Sequence, residues 1–296
     1  MVRNVDAKSD IREFLTSRRA KITPEQAGLP AYGRNRRVKG LRREEAAMLA
    51  GISVEYYIRL ERGNAAGVSE DVLEGIARAL HLDEAERAHL FDLVRAANAT
   101  STARRRPSQE RVRPMVQRIL DSITAPAYVR NGRLDILAAN TLGAALYSPV
   151  LEESAGTANM ARFIFLNPRA TEFFDSWERI ANDAVAILRA EAGRNPYDKR
   201  LSDLIGELST RSEEFRARWA AHDVKFHRTG GKTLHHPVVG DLTLDYEALD
   251  LPGDNGQRIL VYSAEPASRS QQALDLLASW ATAPTAAGAD RAGDVR

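Results

Sequence analysis

Residues Leu41 to Gly63 read LRREEAAMLAGISVEYYIRLERG, two short helical patterns around one glycine. Leu41, Ala46, Leu49 and Ala50 give the first pattern its apolar face; Ile52, Tyr56, Tyr57 and Leu60 serve the second. Two helices joined by a short turn containing glycine is the form of a helix-turn-helix unit, whose second helix enters the DNA major groove. Gly51 falls where the turn must lie, Ser53 is a suitable N-cap for the second helix, and Gly63 stands where a helix-ending glycine belongs. A helical hairpin in an ordinary bundle has the same outline, so the flanking residues decide between the two.

Those flanks are basic. From Arg34 to Arg43 there are six positive charges (Arg34, Arg36, Arg37, Lys39, Arg42 and Arg43) and no acid. A solvated loop is the ordinary reading of such a run. Next to a helix-turn-helix pattern, phosphate contact is the better one, because phosphate neutralisation supplies most sequence-independent DNA affinity. The charge of the whole chain divides the same way. Residues 1–114 hold 22 Lys+Arg against 16 Asp+Glu, a net of +6, and residues 115–296 hold 20 against 24, a net of −4. The nucleic-acid contact is therefore expected in the N-terminal part.

Further amphipathic patterns surround the motif. Asp10–Arg19 precedes it, Thr23–Gln26 forms a helical turn, and Glu70–Leu80 and Asp83–Ala97 follow, capped by Ser69 and Asp83. Five short helices over residues 8–97 predict a compact all-α domain. Residues 98–111, including the small and basic run NATSTARRRP, read as a flexible interdomain linker. Beyond it the texture changes. Met115–Ser122 is helical, and Asn131-Gly132 between two apolar runs predicts a hairpin. Asn140–Leu146 is a short helix. The segments 169–178, 177–191, 197–209 and 212–222 are helical. Four strands then follow, Val224–His227, Lys232–Pro237, Leu242–Leu251 and Gln257–Ala264, with a last helix over Ser270–Ala281. Residues 112–281 thus predict an antiparallel α+β domain, and residues 282–296 a disordered tail.

Composition sets outer limits. A chain of 296 residues without cysteine excludes disulfides and thiolate metal sites. No apolar run reaches the roughly 18–20 residues of a membrane span, and the first residues lack the apolar stretch of a signal peptide. A soluble cytoplasmic protein is expected, with no membrane partner.

The pattern Leu-Arg-Arg-Glu-Glu-Ala-Ala-x-x-Ala-Gly-Ile-Ser-x-x-Tyr-Tyr-x-Arg-Leu-Glu-Arg-Gly resembles the XRE, or lambda-repressor-like, class of helix-turn-helix regulators. The second domain resembles the ligand-binding domain of MmyB-like regulators. The residues that carry this are Arg194-Asn195-Pro196-Tyr197-Asp198, Leu204-Ile205-Gly206-Glu207-Leu208, Arg211-Ser212-x-Glu214-Phe215, Trp219-x-x-His222-Asp223-Val224, His236-Pro237-x-x-Gly240 and Val261-Tyr262-Ser263-Ala264-Glu265-Pro266. The resemblance spans about residues 8–281. It implies a PAS-like second domain with an internal pocket. Because a relative holds a fatty acid there, it also implies an apolar or fatty-acyl ligand.

Site residues follow from these two readings. The start of a recognition helix reaches base edges, which assigns Ser53, Val54, Glu55 and, one turn on, Arg59 to base reading. Tyr56 either packs or reaches phosphate. Arg43 stands where relatives carry a phosphate-contacting Gln, and Arg62 faces phosphate or solvent. Glu61 is expected to be structural, tied to a nearby arginine or the backbone. The pocket candidates are Tyr128, Leu137, Phe163, Phe165, Phe173, Trp177, Phe215, Trp219, Val224 and Tyr262, with Arg211, Arg218 or His222 for a polar head group. A homodimer on two operator half-sites is expected, with the ligand acting through dimer geometry.

Two other classes compete for the second domain. His222, Asp223, His227, His235 and His236 raise metal chemistry, but His222 and His227 cross a helix–strand boundary rather than share a helical face, and no Glu stands as a general base. There is no nucleophile elbow, and Gly230-Gly231-Lys232 lacks the spacing of a phosphate-binding loop. Neither an enzyme nor a required cofactor or metal is expected. The remaining alternative is a protein-interaction module.

Overall fold

The glycine, serine and aspartate signals of the sequence fall at element ends in the computed structural model, which describes residues 7–29, 38–98, 111–152, 156–221, 229–253 and 256–282. Five helices open the chain: α1 (Ala7–Lys21), α2 (Arg43–Ala50), α3 (Val54–Glu61), α4 (Glu70–Ala79) and α5 (Glu84–Asn98). Then come α6 (Pro114–Ser122), β1 (Ala127–Arg130), β2 (Ile136–Ala139), α7 (Thr141–Leu146), α8 (Ser148–Leu151), α9 (Met160–Leu166) and α10 (Ala170–Phe173). Next are α11 (Trp177–Arg194), α12 (Lys199–Arg211) and α13 (Glu213–Ala220), followed by β3 (Thr229–His236), β4 (Gly240–Asp250), β5 (Arg258–Ser263) and α14 (Arg269–Thr282). The linker at 99–110, the strand expected at Val224–His227 and the tail from 283 lie outside the described residues.

Two compact units result, one of residues 1–108 and 178–227, the other of 109–177 and 228–296. In the first, the apolar stripes of α1 to α5 meet in one core. Ile11, Phe14 and Leu15 pack with Leu41, Tyr57, Leu60, Ile76 and Leu90, all essentially without solvent contact. Ser69 caps α4 through the Val72 N–H, and Asp83 caps α5 through the Glu86 N–H at 2.8 Å. In α11, Gly193 faces α5. A Cβ there would lie 2.9 Å from the His89 ring and 3.4 Å from Leu93. Arg194 Nε stands 3.6 Å from Asp92.

In the second unit the strands form one antiparallel sheet in the order β2-β1-β5-β4-β3. A hairpin forms where Asn131-Gly132 predicts one, but through the longer loop 131–135 with the positive φ at Leu134, and with Asn131 Oδ1 accepting the N–H groups of Arg133 and Asp135, each at 3.0 Å. A bulge interrupts the β1–β2 register at Val129 and Arg130. Alternation on β4 buries Leu242, Leu244, Tyr246 and Ala248 and exposes the residues between them. Helix α6 covers the outer face with Val116 and Leu120 against Ala127, Val129 and Ile259. Asn140 caps α7 through the Gly143 N–H at 2.7 Å, while its amide group donates to the carbonyls of Ile123 and Ala125.

Between Leu146 and Glu178 the elements depart from the sequence reading. The helix expected over 169–178 is broken after Phe173, because Phe174 bridges to Leu234 and the Asp175 N–H donates to the Thr233 carbonyl. Pairing with an edge strand, a non-local contact, overrides helical continuation there. The segment between Leu146 and Arg169, left without structure by periodicity, holds α8 and α9, and α9 is capped by Asn159 through the Arg162 N–H.

Candidate nucleic-acid interface and ligand-binding face

The turn of the helix-turn-helix is built by Gly51, whose φ of 69° is the left-handed conformation that a glycine adopts freely. Ile52 N–H returns to the Ala47 carbonyl at 3.0 Å, which closes α2. Ser53 Oγ then accepts the Tyr56 N–H at 3.1 Å and opens α3. Tyr57, Leu60 and Glu61 point inward. Ser53, Val54, Glu55, Arg59 and Arg62 are exposed to solvent. All four residues assigned to base reading are among them, Ser53 at the N-cap, Val54 and Glu55 in the first turn of α3 and Arg59 one turn on. The Arg59 guanidinium lies over the Tyr56 ring at 4.5 Å, a cation–π contact that restrains the arginine at the surface.

Behind this face sits a buried ion cluster. Glu61, 2% exposed, accepts Arg19 Nε at 2.7 Å on one oxygen and Arg43 Nε on the other. Arg19 also donates to the Leu41 carbonyl at 2.8 Å. Three segments of the motif are thereby tied to one carboxylate, the structural role read for Glu61 from sequence. Tyr57, packed beside it, has its phenol pKa raised by burial and by the Glu61 charge. Arg43 keeps half of its side chain exposed while bound to Glu61. Lys39 is exposed, and Arg42 is exposed near Glu44 at 3.4 Å. Arg34, Arg36 and Arg37 lie outside the described residues.

The inner face of the sheet is aromatic. Strand register aligns Tyr246 with Tyr262, and Leu260 with both Tyr128 and Ala248. Tyr147, just after α7, donates its hydroxyl to Tyr262 Oη at 2.8 Å, and the Tyr128 ring packs against both, at 5.1 Å from Tyr147 and 6.1 Å from Tyr262. Burial raises the pKa of all three phenols, which keeps them neutral. Lys232 reaches in from β3. Its ammonium stands 4.9 Å above the Tyr246 ring and 5.6 Å above the Tyr262 ring, and donates to Tyr262 Oη at 3.3 Å. Phe173 continues the aromatic layer, 6.1 Å from Tyr147, and Phe163 packs on Phe173 at 5.9 Å.

Of the expected pocket residues, Tyr128, Tyr262, Phe163 and Phe173 therefore meet in one layer. Phe165 and Trp177 form a separate edge-on pair, with Trp177 Nε1 donating to the Ile164 carbonyl. Leu137 packs into the cluster under α6, with Val129 rather than Tyr128. Phe215 and Trp219 belong to the other compact unit, stacked at 5.5 Å, with Arg189 over Trp219 at 4.3 Å. Arg211 and Arg218 are there too, paired with Glu207 and with Glu214 and Glu178 respectively. His222 and Val224 lie outside the described residues. Tyr147, Tyr246, Lys232 and Arg130 complete the inner face and were not singled out by sequence, although strand alternation from Tyr128 points to Arg130 and from Leu244 to Tyr246.

The histidines separate. His235 Nδ1 is 2.6 Å from Asp241 on the exposed side of β3. His236 is buried with Nε2 on the Ala145 carbonyl at 3.0 Å. Asp223 and His227, like His222, lie outside the described residues. Among the described residues no group of three or more His, Asp and Glu side chains has the arrangement to hold a metal ion.

A helix-turn-helix with an exposed recognition face, followed by an α+β PAS-like domain, defines the class of a two-part DNA-binding regulator. The comparisons with known families agree. Residues 17–90 match the helix-turn-helix domain model and residues 112–277 match the MmyB-like transcription regulator ligand binding domain. The chain belongs to the family of MmyB-like transcription regulators, and is a DNA-binding transcriptional regulator with a ligand-binding domain. No curated protein matches it. No helix among the described residues is long and apolar enough to cross a membrane.

Proposed function

We propose that the protein binds a specific operator as a homodimer through α3 and that its second domain senses a small apolar ligand of fatty-acyl type. The observation that carries the DNA half is the exposed N-terminal part of α3, with Ser53, Val54, Glu55 and Arg59, in a motif that also exposes the basic residues Lys39, Arg42 and Arg43. The apolar half draws on the family and on the aromatic layer of Tyr128, Tyr147, Tyr246, Tyr262, Phe163 and Phe173. A ligand alters DNA affinity only through unequal affinity for two protein states. A homodimer supplies such states as two spacings of its recognition helices.

The test is a gel shift on the DNA upstream of the protein's own coding sequence, combined with native mass spectrometry of the purified protein. A retarded band competed by the same DNA but not by scrambled DNA, and a dimer carrying a co-purified lipid, support the reading. A stoichiometric metal in place of a lipid would instead favour an enzyme, and the absence of both would favour a protein-interaction module.

A further inference from the structure

Arg130, at the end of β1, is a buried charge without a carboxylate partner among the described residues. The β1–β5 register is regular through this point, so Arg130 shares the inner face with Tyr128. It is 5% exposed. Among the described residues its side chain makes one hydrogen bond, from Nη1 to the neighbouring Asn131 carbonyl at 3.3 Å, and no ion pair. The groups acting on its charge are the phenols of Tyr128, Tyr262 and Tyr246 and a second cation, Arg258.

Two arginines nearby show what is missing. Arg258, directly opposite on β5, is held by Asp250 at 2.5 Å. Arg133, in the hairpin, is held by Asp135 at 3.0 Å. Each has its carboxylate, and Arg130 has only a carbonyl and aromatic rings. A guanidinium does not shed its proton in proteins, and a buried charge is retained when it is paired. Among the described residues no carboxylate pairs with Arg130, so an anionic ligand would meet an unmatched charge there.

We propose that Arg130 anchors the oxyanion head group, carboxylate or phosphate, of the ligand, whose apolar part lies along the tyrosine and phenylalanine layer. A guanidinium accepts either oxyanion through two parallel N–H bonds. The neighbouring phenols, neutral through burial, supply O–H donors, and Lys232 on Tyr262 adds positive potential to the same hydroxyl network. This assignment rests on the ligand-sensing reading above and gives that ligand a charge. It also moves the polar anchor from Arg211 and Arg218, which have carboxylates of their own, to Arg130.

The experiment uses full-length protein, wild type and Arg130→Met, with dodecanoate, dodecyl phosphate and dodecan-1-ol as probes, followed by calorimetry and thermal unfolding. Wild type is expected to bind at least one of the two anions ~10-fold or more tighter than the alcohol. The preferred anion distinguishes a carboxylate from a phosphate source. R130M is expected to bind anion and alcohol alike. Its ligand-free melting temperature should equal or exceed that of wild type, because an unmatched charge has been removed, a result that a purely structural arginine would not give. Equal wild-type affinity for anions and alcohol overturns the anchor and leaves apolar sensing standing. No binding of any probe to wild type overturns both. An R130M protein that keeps the anion preference also overturns the anchor. If R130M does not fold, the wild-type ratio alone decides.

Discussion

Arg43 at the start of α2 is bound through its guanidinium to Glu61 at the end of α3, so the two helices of the DNA-binding motif share a charge pair. Arg19 holds the other carboxylate oxygen from α1. Removing one partner of a buried pair leaves an unmatched charge, which costs about 3–5 kcal/mol. Glu61→Gln, which leaves two cations around a neutral amide, is therefore expected to destabilise the N-terminal unit on that scale in urea unfolding. A loss below about 1 kcal/mol, the range of a surface pair, would place the cluster among decorative ones.

Arg59 carries a different kind of interaction. Its side chain is exposed and lies on Tyr56, so Arg59→Ala should leave stability nearly unchanged. A bidentate arginine–guanine contact is worth about 1–3 kcal/mol. Specific binding in a gel shift should therefore weaken roughly 5- to 150-fold while binding to scrambled DNA stays within about twofold. Equal loss on both DNAs would remove Arg59 from base reading.

The basic residues flanking α2 act through phosphate and therefore through salt. Each phosphate contact contributes about 0.9 to the slope of log K against log salt. Lys39→Ala and Arg42→Ala should each lower the slope by about one and weaken all sequences alike. An unchanged slope would mean that the side chain stays in solvent.

Gly63 ends α3 with φ of 85°, and a Cβ there would fall 2.2 Å from the Lys8 carbonyl oxygen. Both the conformation and the contact reject a side chain. Gly63→Ala should cost about 2 kcal/mol or more, from the left-handed backbone alone. The measurement is the thermal midpoint of the variant. A drop of less than about 2 °C would show that neither the left-handed backbone nor the contact with α1 resists a side chain there.

His236 predicts a pH effect in the second unit. Its Nε2 lies on the Ala145 carbonyl, its Nδ1 accepts the Val238 N–H at 3.3 Å, and burial lowers its pKa. Both contacts are made by the neutral ring. Below the ordinary value of 6.5 the unfolded chain binds the proton more readily than the folded one, so stability falls as pH drops from 7 to 5. His236→Gln should flatten that decline in unfolding midpoints measured across the range. His235 shifts the other way, raised by Asp241, so its contribution is present at low pH and fades as pH rises. His235→Gln should therefore leave the acid decline in place.

The motif at residues 41–63 was legible because its signals are local. Gly51, Ser53 and Gly63 each act within a few residues of their own position, and the burial of Tyr57 and Leu60 follows from helical spacing, whereas Tyr56, read on the same apolar face, is only partly buried and lies under Arg59. The α+β character of the second domain was legible for the same reason, through the Asn131-Gly132 turn and the alternation in β4. What escaped depended on distant partners. Helix α8 is too short to show a period, the break at Phe174 is made by a strand 60 residues away, and the bulge at Val129 and Arg130 separates Leu137 from Tyr128. Arg130 lies two residues beyond Tyr128 in plain sight, yet its isolation is visible only once Asp135 and Asp250 are seen to serve other arginines.

Gly193 carries a consequence for anyone rebuilding the protein. It belongs to the segment matched by the ligand-binding family, yet it lies against His89 and Leu93 of α5 within the first compact unit. The family match begins at residue 112, whereas that unit draws on residues 178–227 as well. A chimaera that exchanges everything after the linker for a foreign sensor would strip three native helices from the unit that holds the DNA reader. A graft that keeps them must replace two separate stretches of chain and leave the one between them intact.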